Sequence, residues 1–580
     1  MSGGDAFFQV DGDMIVAPAN PASNGIFFNG NSTSSIRIET TGKLDVHNAT
    51  IKAYGITISG NYDQKTGSGT SSVSFHDITT SATGGAINRI DYGTLEISNQ
   101  TVASFTDNKA SQGAAIYGRY SSLTFTNNKL LAFENNVATN KTGNGGAIYG
   151  QTTTLIVTNN DVARFSGNSA AGGTGGALRM NGSPEGTTLS NNGVLEFSDN
   201  TAKQGGAAYF TTVLFDHNTI LDFSRNSSSS YGGALYINTK GTISNSGLVR
   251  FNDNKAQNSL GYNQAGGAIY NNKSLTISSN DVVEFRNNIS NYALYNKGTA
   301  TFDANGDLCF IGNEGGAIFS GSTGNYINIT NHTGVVEFSS NSASSDGGAI
   351  TGGSVSLTGN KEIYFTNNTA ANRGGAIYNS KLTISGNDKV VFRGNAEIDA
   401  NGNTLLRSIY NLSETLHLSA TKATDSITFY DTVYAGGSVE LNNNSAGRIT
   451  FSGKYTAADL AAYGSSTGAD ALKNSRTSIF TQSLSLGGGL LEVADEAILQ
   501  TSTLTVYNGA TVELNSGHIS GTLALTAGAS LNVSGVSSIS SACKLSGAAL
   551  NVVLGADNLN TAALTAGSVS GLGSCQFTLN

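Results

Sequence analysis

Apolar and polar residues alternate in short runs along most of this chain. In Thr94-Leu95-Glu96-Ile97, Ser274-Leu275-Thr276-Ile277, Tyr326-Ile327-Asn328-Ile329, Ser354-Val355-Ser356-Leu357 and Lys381-Leu382-Thr383-Ile384, every second residue is apolar. A period of two puts one set of side chains on a buried face and the other in solvent, so each run predicts a short β-strand. A second group of runs ends in Phe. Leu195, Leu221, Val249, Val283 and Val336 stand two residues before it, and Glu196, Asp222, Arg250, Glu284 and Glu337 lie between. Phe and its apolar partner are expected to point inward and the residue between them outward. Arg250, between Asp222 and Glu284 in neighbouring copies, predicts a solvated charge ladder, and Cys309 holds the same outward place.

The runs belong to a repeat. GGAI occurs at 84–87, 145–148, 266–269, 315–318, 347–350 and 374–377, with variants GAAI at 113–116, GGAL at 175–178 and 232–235, and GGAA at 205–208. Phe-x-x-Asn interleaves with it, starting at Phe105, Phe133, Phe165, Phe197, Phe223, Phe251, Phe285, Phe310, Phe338, Phe365 and Phe392, at a mean spacing of about 29 residues. Gly84-Gly85 thus precedes Phe105 and Asn108. Gly145-Gly146 precedes Phe165 and Asn168, and Gly266-Gly267 precedes Phe285 and Asn288. Gly347-Gly348 leads to Phe365 and Asn368, and Gly374-Gly375 to Phe392 and Asn395. Phe125-Thr126-Asn127-Asn128 fits the second motif but aligns with the middle strand, and Tyr292-Ala293-Leu294-Tyr295 replaces a glycine motif.

Three short strands per period predict an all-β fold, a right-handed parallel β-helix with one period per coil and coils about 4.8 Å apart. The glycine pair is expected to permit positive φ at a tight corner, with a small third residue facing the crowded interior. The Asn of Phe-x-x-Asn is expected to take the left-handed conformation and to bond its counterpart in the next coil.

Four regions follow. Residues 1–83 carry strand-like pieces without the motif and predict atypical first coils. Residues 84–431 hold about twelve coils, the last a worn copy ending at Ile427-Thr428-Phe429. Phe429 to Gly437 keeps a strand and drops the Asn, and the Ala-rich stretch at 456–476 predicts a protruding loop within a transition at 432–476. From 477 to 580, Gly509-Ala510, Gly528-Ala529 and Gly547-Ala548 recur about every 19 residues and predict a slimmer stem.

Composition narrows the function. Gly is 73 of 580 residues, Pro only 3, and charged residues 12%, which favours strands and turns over helix or disorder. A net charge of −9 argues against nucleic acid as a partner. No membrane-spanning helix or signal peptide is expected within this segment. The three cysteines cannot form a disulfide framework.

No catalytic, cofactor or metal site is expected. The six histidines, at 47, 76, 217, 332, 417 and 518, stand singly. Gly464-Ser465-Ser466-Thr467-Gly468 lacks the strand–turn–helix frame of a nucleophile elbow. Length varies most between the Asn of one coil and the glycine pair of the next, as at 137–144 and 255–265. That edge, with Asn140, Lys141, Tyr262 and Asn263, is the expected ligand edge.

The interleaved GGA[ILV] and Phe-x-x-Asn copies at 84–395 resemble the chlamydial polymorphic membrane proteins and related autotransporter passengers. The resemblance implies a type V secreted passenger displayed outside the outer membrane of a Gram-negative bacterium, often as an adhesin for a host-cell receptor, extracellular matrix or glycan. It also implies a signal peptide and an outer-membrane β-barrel translocator, neither expected within this segment. Two other readings stand beside it: a polysaccharide-degrading β-helix enzyme, and a purely structural or antigenic spacer.

Overall fold

The structure, a computed structural model, describes residues 6–17, 25–29, 34–182, 186–257, 265–321, 324–398, 402, 404–454, 476–554 and 562–579. The chain forms two compact units, Met1–Ala300 and Thr301–Asn580. Apart from a 3-10 turn at Leu572–Ser574, the described regular structure is β-strand, and the ladders within each unit run parallel almost throughout. Each unit is a stretch of parallel β-helix.

One coil of the first unit shows the plan. Ile116–Arg119, Ser122–Thr126 and Leu130–Glu134 form its three strands, and each pairs with its counterpart one coil on: Ile148–Gln151, Thr154–Thr158 and Val162–Ser166. A short fourth strand, Val137–Ala138, runs along the edge where loop length varies. It belongs to a separate ladder from Lys109–Ala110 to Lys255–Ala256 that the alternation did not reveal.

The register sets like on like. Phe105 pairs with Phe133, Phe133 with Phe165 and Phe165 with Phe197. Their rings are fully buried and stack at 4.7, 5.1 and 4.8 Å between centroids, nearly parallel. Phe125, from the middle strand, meets Phe133 edge-on at 5.5 Å, which locks the column laterally. A second column, Phe310–Phe338–Phe365–Phe392–Phe429–Phe451, stacks in the second unit at 4.7 to 5.0 Å. Beyond it Phe451 pairs with Val493, and the narrower coils bury Val512, Leu514, Leu531 and Val533 instead.

The Asn of Phe-x-x-Asn departs from expectation. The left-handed residue is the one before it: Asp107 (φ 55°), Asn135 (φ 54°) and Gly167 (φ 65°). The Asn itself is wholly buried. Asn168 Nδ2 donates to Asn200 Oδ1 at 3.0 Å and to the Phe133 carbonyl at 2.8 Å, while its Oδ1 accepts from the Asn136 backbone N and Nδ2 at 3.0 and 2.9 Å. Two donors and two acceptor sites are thus filled, the full capacity of a carboxamide. The ladder runs from Asn108 to Asn288 in the first unit and from Asn313 to Asn395 in the second. Asp431 then receives the Asn395 backbone N and Nδ2 at 2.9 and 2.8 Å, so the coil that drops the Asn keeps an acceptor in its place.

The two glycines of the repeat do different work. Gly145 has φ 58° at the turn. Gly146 has no such backbone, but a Cβ there would lie 2.0 Å from the Gly176 carbonyl of the next coil. Only the first answers to the expected corner role; the second is there because coils approach too closely for any side chain. Ala147 points into the core, fully buried.

Candidate binding face

The expected ligand edge lies beside the outer face of the first-strand sheet. Asn140 and Lys141 are exposed there. Gly143 N bonds the Asn140 carbonyl at 2.8 Å, closing the turn that presents them. Asn144 Oδ1 accepts from Thr174 Oγ1 at 2.8 Å and so ties this insertion to the next coil. Tyr262 and Asn263 lie outside the described residues. The motif glycines, phenylalanines and asparagines named from the sequence fall at corners and in the core.

The outer face of the first strand carries an aromatic column. In the first unit the residues after the tetrapeptides from 113 onward fall in one register column, Tyr117, Tyr149, Arg179, Tyr209, Tyr236 and Tyr270, and Tyr295 of the replacement Tyr292-Ala293-Leu294-Tyr295 continues it. Tyr117, Tyr270 and Tyr295 are buried and the others partly exposed. Tyr209 and Tyr236 stack at 4.4 Å, Tyr236 and Tyr270 at 4.8 Å, and Tyr270 and Tyr295 at 5.3 Å. Tyr231, on the edge strand Ser227–Tyr231, meets Tyr270 at 4.9 Å and joins the column to the edge. Burial, reinforced by neighbouring phenols, pushes the Tyr236 and Tyr295 hydroxyls up to about 12. Both phenols are neutral and polar-tipped; Tyr236 is partly exposed and Tyr295 is buried.

Arg179 interrupts the column. Its guanidinium lies 3.6 Å from the centre of the Tyr209 ring, and its Nε and Nη1 are buried without a hydrogen-bond partner among the described residues. Burial lowers its pKa and Tyr209 opposes that shift, yet a guanidinium remains a cation at physiological pH. The partly buried guanidinium, lying on a tyrosine ring, sets a positive charge on this face.

At the opposite end of the first strand, Tyr92 and Tyr120 stack in the open. Their centroids are 4.8 Å apart and the rings nearly parallel, and the residues are 63% and 44% exposed. Both have left-handed backbones (φ 56° and 53°), which turns the rings out of the corner. The second unit holds its own cluster: Tyr410 stacks on Tyr434 at 4.2 Å, and Arg373 lies 4.8 Å from the Tyr378 ring while pairing with Asp346 at 3.2 Å.

Sequence reasoning did not assign these tyrosines, although a Tyr at one fixed place after the glycine tetrapeptide was a readable signal. It also missed a second polar ladder at the corner after the middle strand, Asn128–Asn160–Asn192–Asn218, each Nδ2 reaching the next Oδ1 at 2.9 to 3.0 Å. The recurring Asn-Asn at 127–128, 159–160 and 191–192 was its trace. Elsewhere on the outer faces, the foreseen charge ladder is present. Arg250 lies 4.0 Å from Asp222 and 3.5 Å from Glu284.

Residues 335–353 and 362–380 match the Chlamydia polymorphic membrane protein (Chlamydia_PMP) repeat. Each matched stretch begins at a Phe strand, crosses the buried Asn and the variable edge, and ends beyond the glycine pair. No curated protein and no solved structure matches the chain.

Proposed function

We propose that this chain, which carries the chlamydial polymorphic membrane protein repeat, is the surface-displayed passenger of an autotransporter and acts as a non-catalytic adhesin. The contact surface in this reading is the first-strand face of the first unit, between the edge at Asn140 and Lys141 and the corner at Tyr92 and Tyr120. The observation that carries it is the exposed, parallel-stacked Tyr92–Tyr120 pair on a face that also holds a column of tyrosines and one partly buried arginine. Tyr and Arg are among the side chains that most often anchor recognition, Tyr because it gives large contact area at low entropic cost and Arg because it gives directional donors. The partner is a host-cell receptor or an extracellular matrix glycan.

The test is a host-cell and glycan-array binding assay with the whole chain, run beside a polysaccharide-cleavage screen. Tyr92→Ala with Tyr120→Ala, and separately Arg179→Gln, should weaken binding at least about tenfold with strand content intact. Turnover on a polysaccharide would transfer the reading to the enzyme alternative. Absence of any ligand would leave the spacer.

A further inference from the structure

The coil period brings together two of the histidines that stand singly in the sequence. Lys43–His47 and Ser72–His76 pair in parallel with His47 opposite His76, and Asp45 shares their outward face. The two imidazoles stack at 5.3 Å. His76 Nε2 lies 2.8 Å from Asp45 Oδ1, and His47 Nδ1 lies 3.9 Å from the same oxygen. One donor atom from each of the three residues falls within 4.8 Å of the other two.

From these positions we infer that Asp45, His47 and His76 form a site for a borderline divalent transition-metal ion of the Zn2+, Ni2+ or Cu2+ type. Metal–nitrogen and metal–oxygen bonds of about 2.0–2.1 Å in a tetrahedron set neighbouring donors about 3.3 Å apart. The 2.8 and 3.9 Å separations bracket that value, so small side-chain rotations complete the triad. Two further features point to an ion. His47 Nδ1 is buried, 3.9 Å from Asp45 Oδ1, and makes no hydrogen bond among the described residues, so no protein group there occupies it. His76 Nδ1 is held by Asp77 at 2.8 Å, the carboxylate–histidine arrangement that orients a ligating imidazole, and an ion would take the place of the Nε2 proton now shared with Asp45. Two imidazoles and one carboxylate suit a borderline ion and not Ca2+ or Mg2+, which require oxygen ligands. The three residues are each partly shielded, at 15% to 31% side-chain exposure, and leave a coordination position open to water. An ion there clips two successive coils together.

Lys43 supplies a built-in competitor, its ammonium 3.4 Å from Asp45. Zn2+ titration by calorimetry and equilibrium dialysis, using the whole chain, tests the site, with Co2+ absorption reporting geometry. One equivalent should bind and should survive excess Ca2+. Asp45→Asn, His47→Gln and His76→Gln should each lower affinity at least about tenfold. Lys43→Ala should raise it, an outcome that damage to the fold could not produce, and His417→Ala should change nothing. Zn2+ binding that persists in the His47→Gln/His76→Gln double variant, or no saturable binding at all, overturns the site.

Discussion

Asn168 shows how much one small side chain is asked to do. Its carboxamide spans three coils, accepting from Asn136 and donating to Asn200 and to the Phe133 carbonyl, in a place with no access to water. Ser and Thr are too short for this, Asp lacks the two donors, and Gln adds a methylene where none fits. Asn168→Ala therefore strands donors on Asn136 and an acceptor on Phe133. Each abandoned buried group costs about 1–3 kcal/mol, so a loss of about 3 kcal/mol is expected from the shift in the urea unfolding midpoint. An equally stable variant would mean that water enters the corner. The importance of this residue was readable from the repeat, but its backbone role was not. Asn is common in left-handed turns, and that habit suggested the wrong member of the pair, because a spacing pattern does not say which of two adjacent residues points inward.

At the scale of the element, each strand is held by identical neighbours, so a departure from the pattern marks a local weakness. His332 occupies the inner corner place that Asn360 and Asn387 hold in the next coils, its backbone N donating to Asn360 Oδ1 at 3.1 Å. Burial pushes its imidazole down to about 4. In the unfolded chain a histidine titrates near 6.5. As pH falls below about 6.5 the unfolded chain takes up a proton that the folded chain refuses, so stability drops between about pH 6.5 and 4 and levels off below. The full drop is on the order of 3 kcal/mol. His332→Asn should flatten this part of the stability–pH curve, and an unchanged acid slope would place the sensitivity elsewhere. Strand existence and face were legible here from alternation alone, as in Tyr326-Ile327-Asn328-Ile329. The edge ladder of Val137–Ala138 was not, because two residues cannot display a period.

For the whole molecule, repetition makes stability a sum of coils and the contacts between neighbours. Removing one complete period from the second unit, residues 347–373, joins Asp346 to Gly374. It should keep the Phe and Asn columns continuous, since Asn341 already meets Asn368 one period of 27 residues away. Such a chain should unfold cooperatively and keep its strand circular dichroism. Removing 347–360 alone deletes the strand Ile350–Thr358, so the coils on either side lose their pairing partners at that junction, and strand circular dichroism and the cooperativity of unfolding should both fall. Equal tolerance of the two deletions would refute stacking as the source of order.

Fold class, coil period, the inward Phe column and the outward charge ladder all came from residues close together in the chain. Alternation and spacing encode them directly, since a strand's face depends only on parity. The polar ladders' hydrogen bonds, the reason for the second glycine, the tyrosine column with Arg179 and the meeting of Asp45, His47 and His76 came from stacking. These depend on which residues of one coil lie over which of the next, and that alignment is set by turns and insertions of unequal length. Two histidines 29 positions apart are strangers along the chain and neighbours across a single ladder of hydrogen bonds.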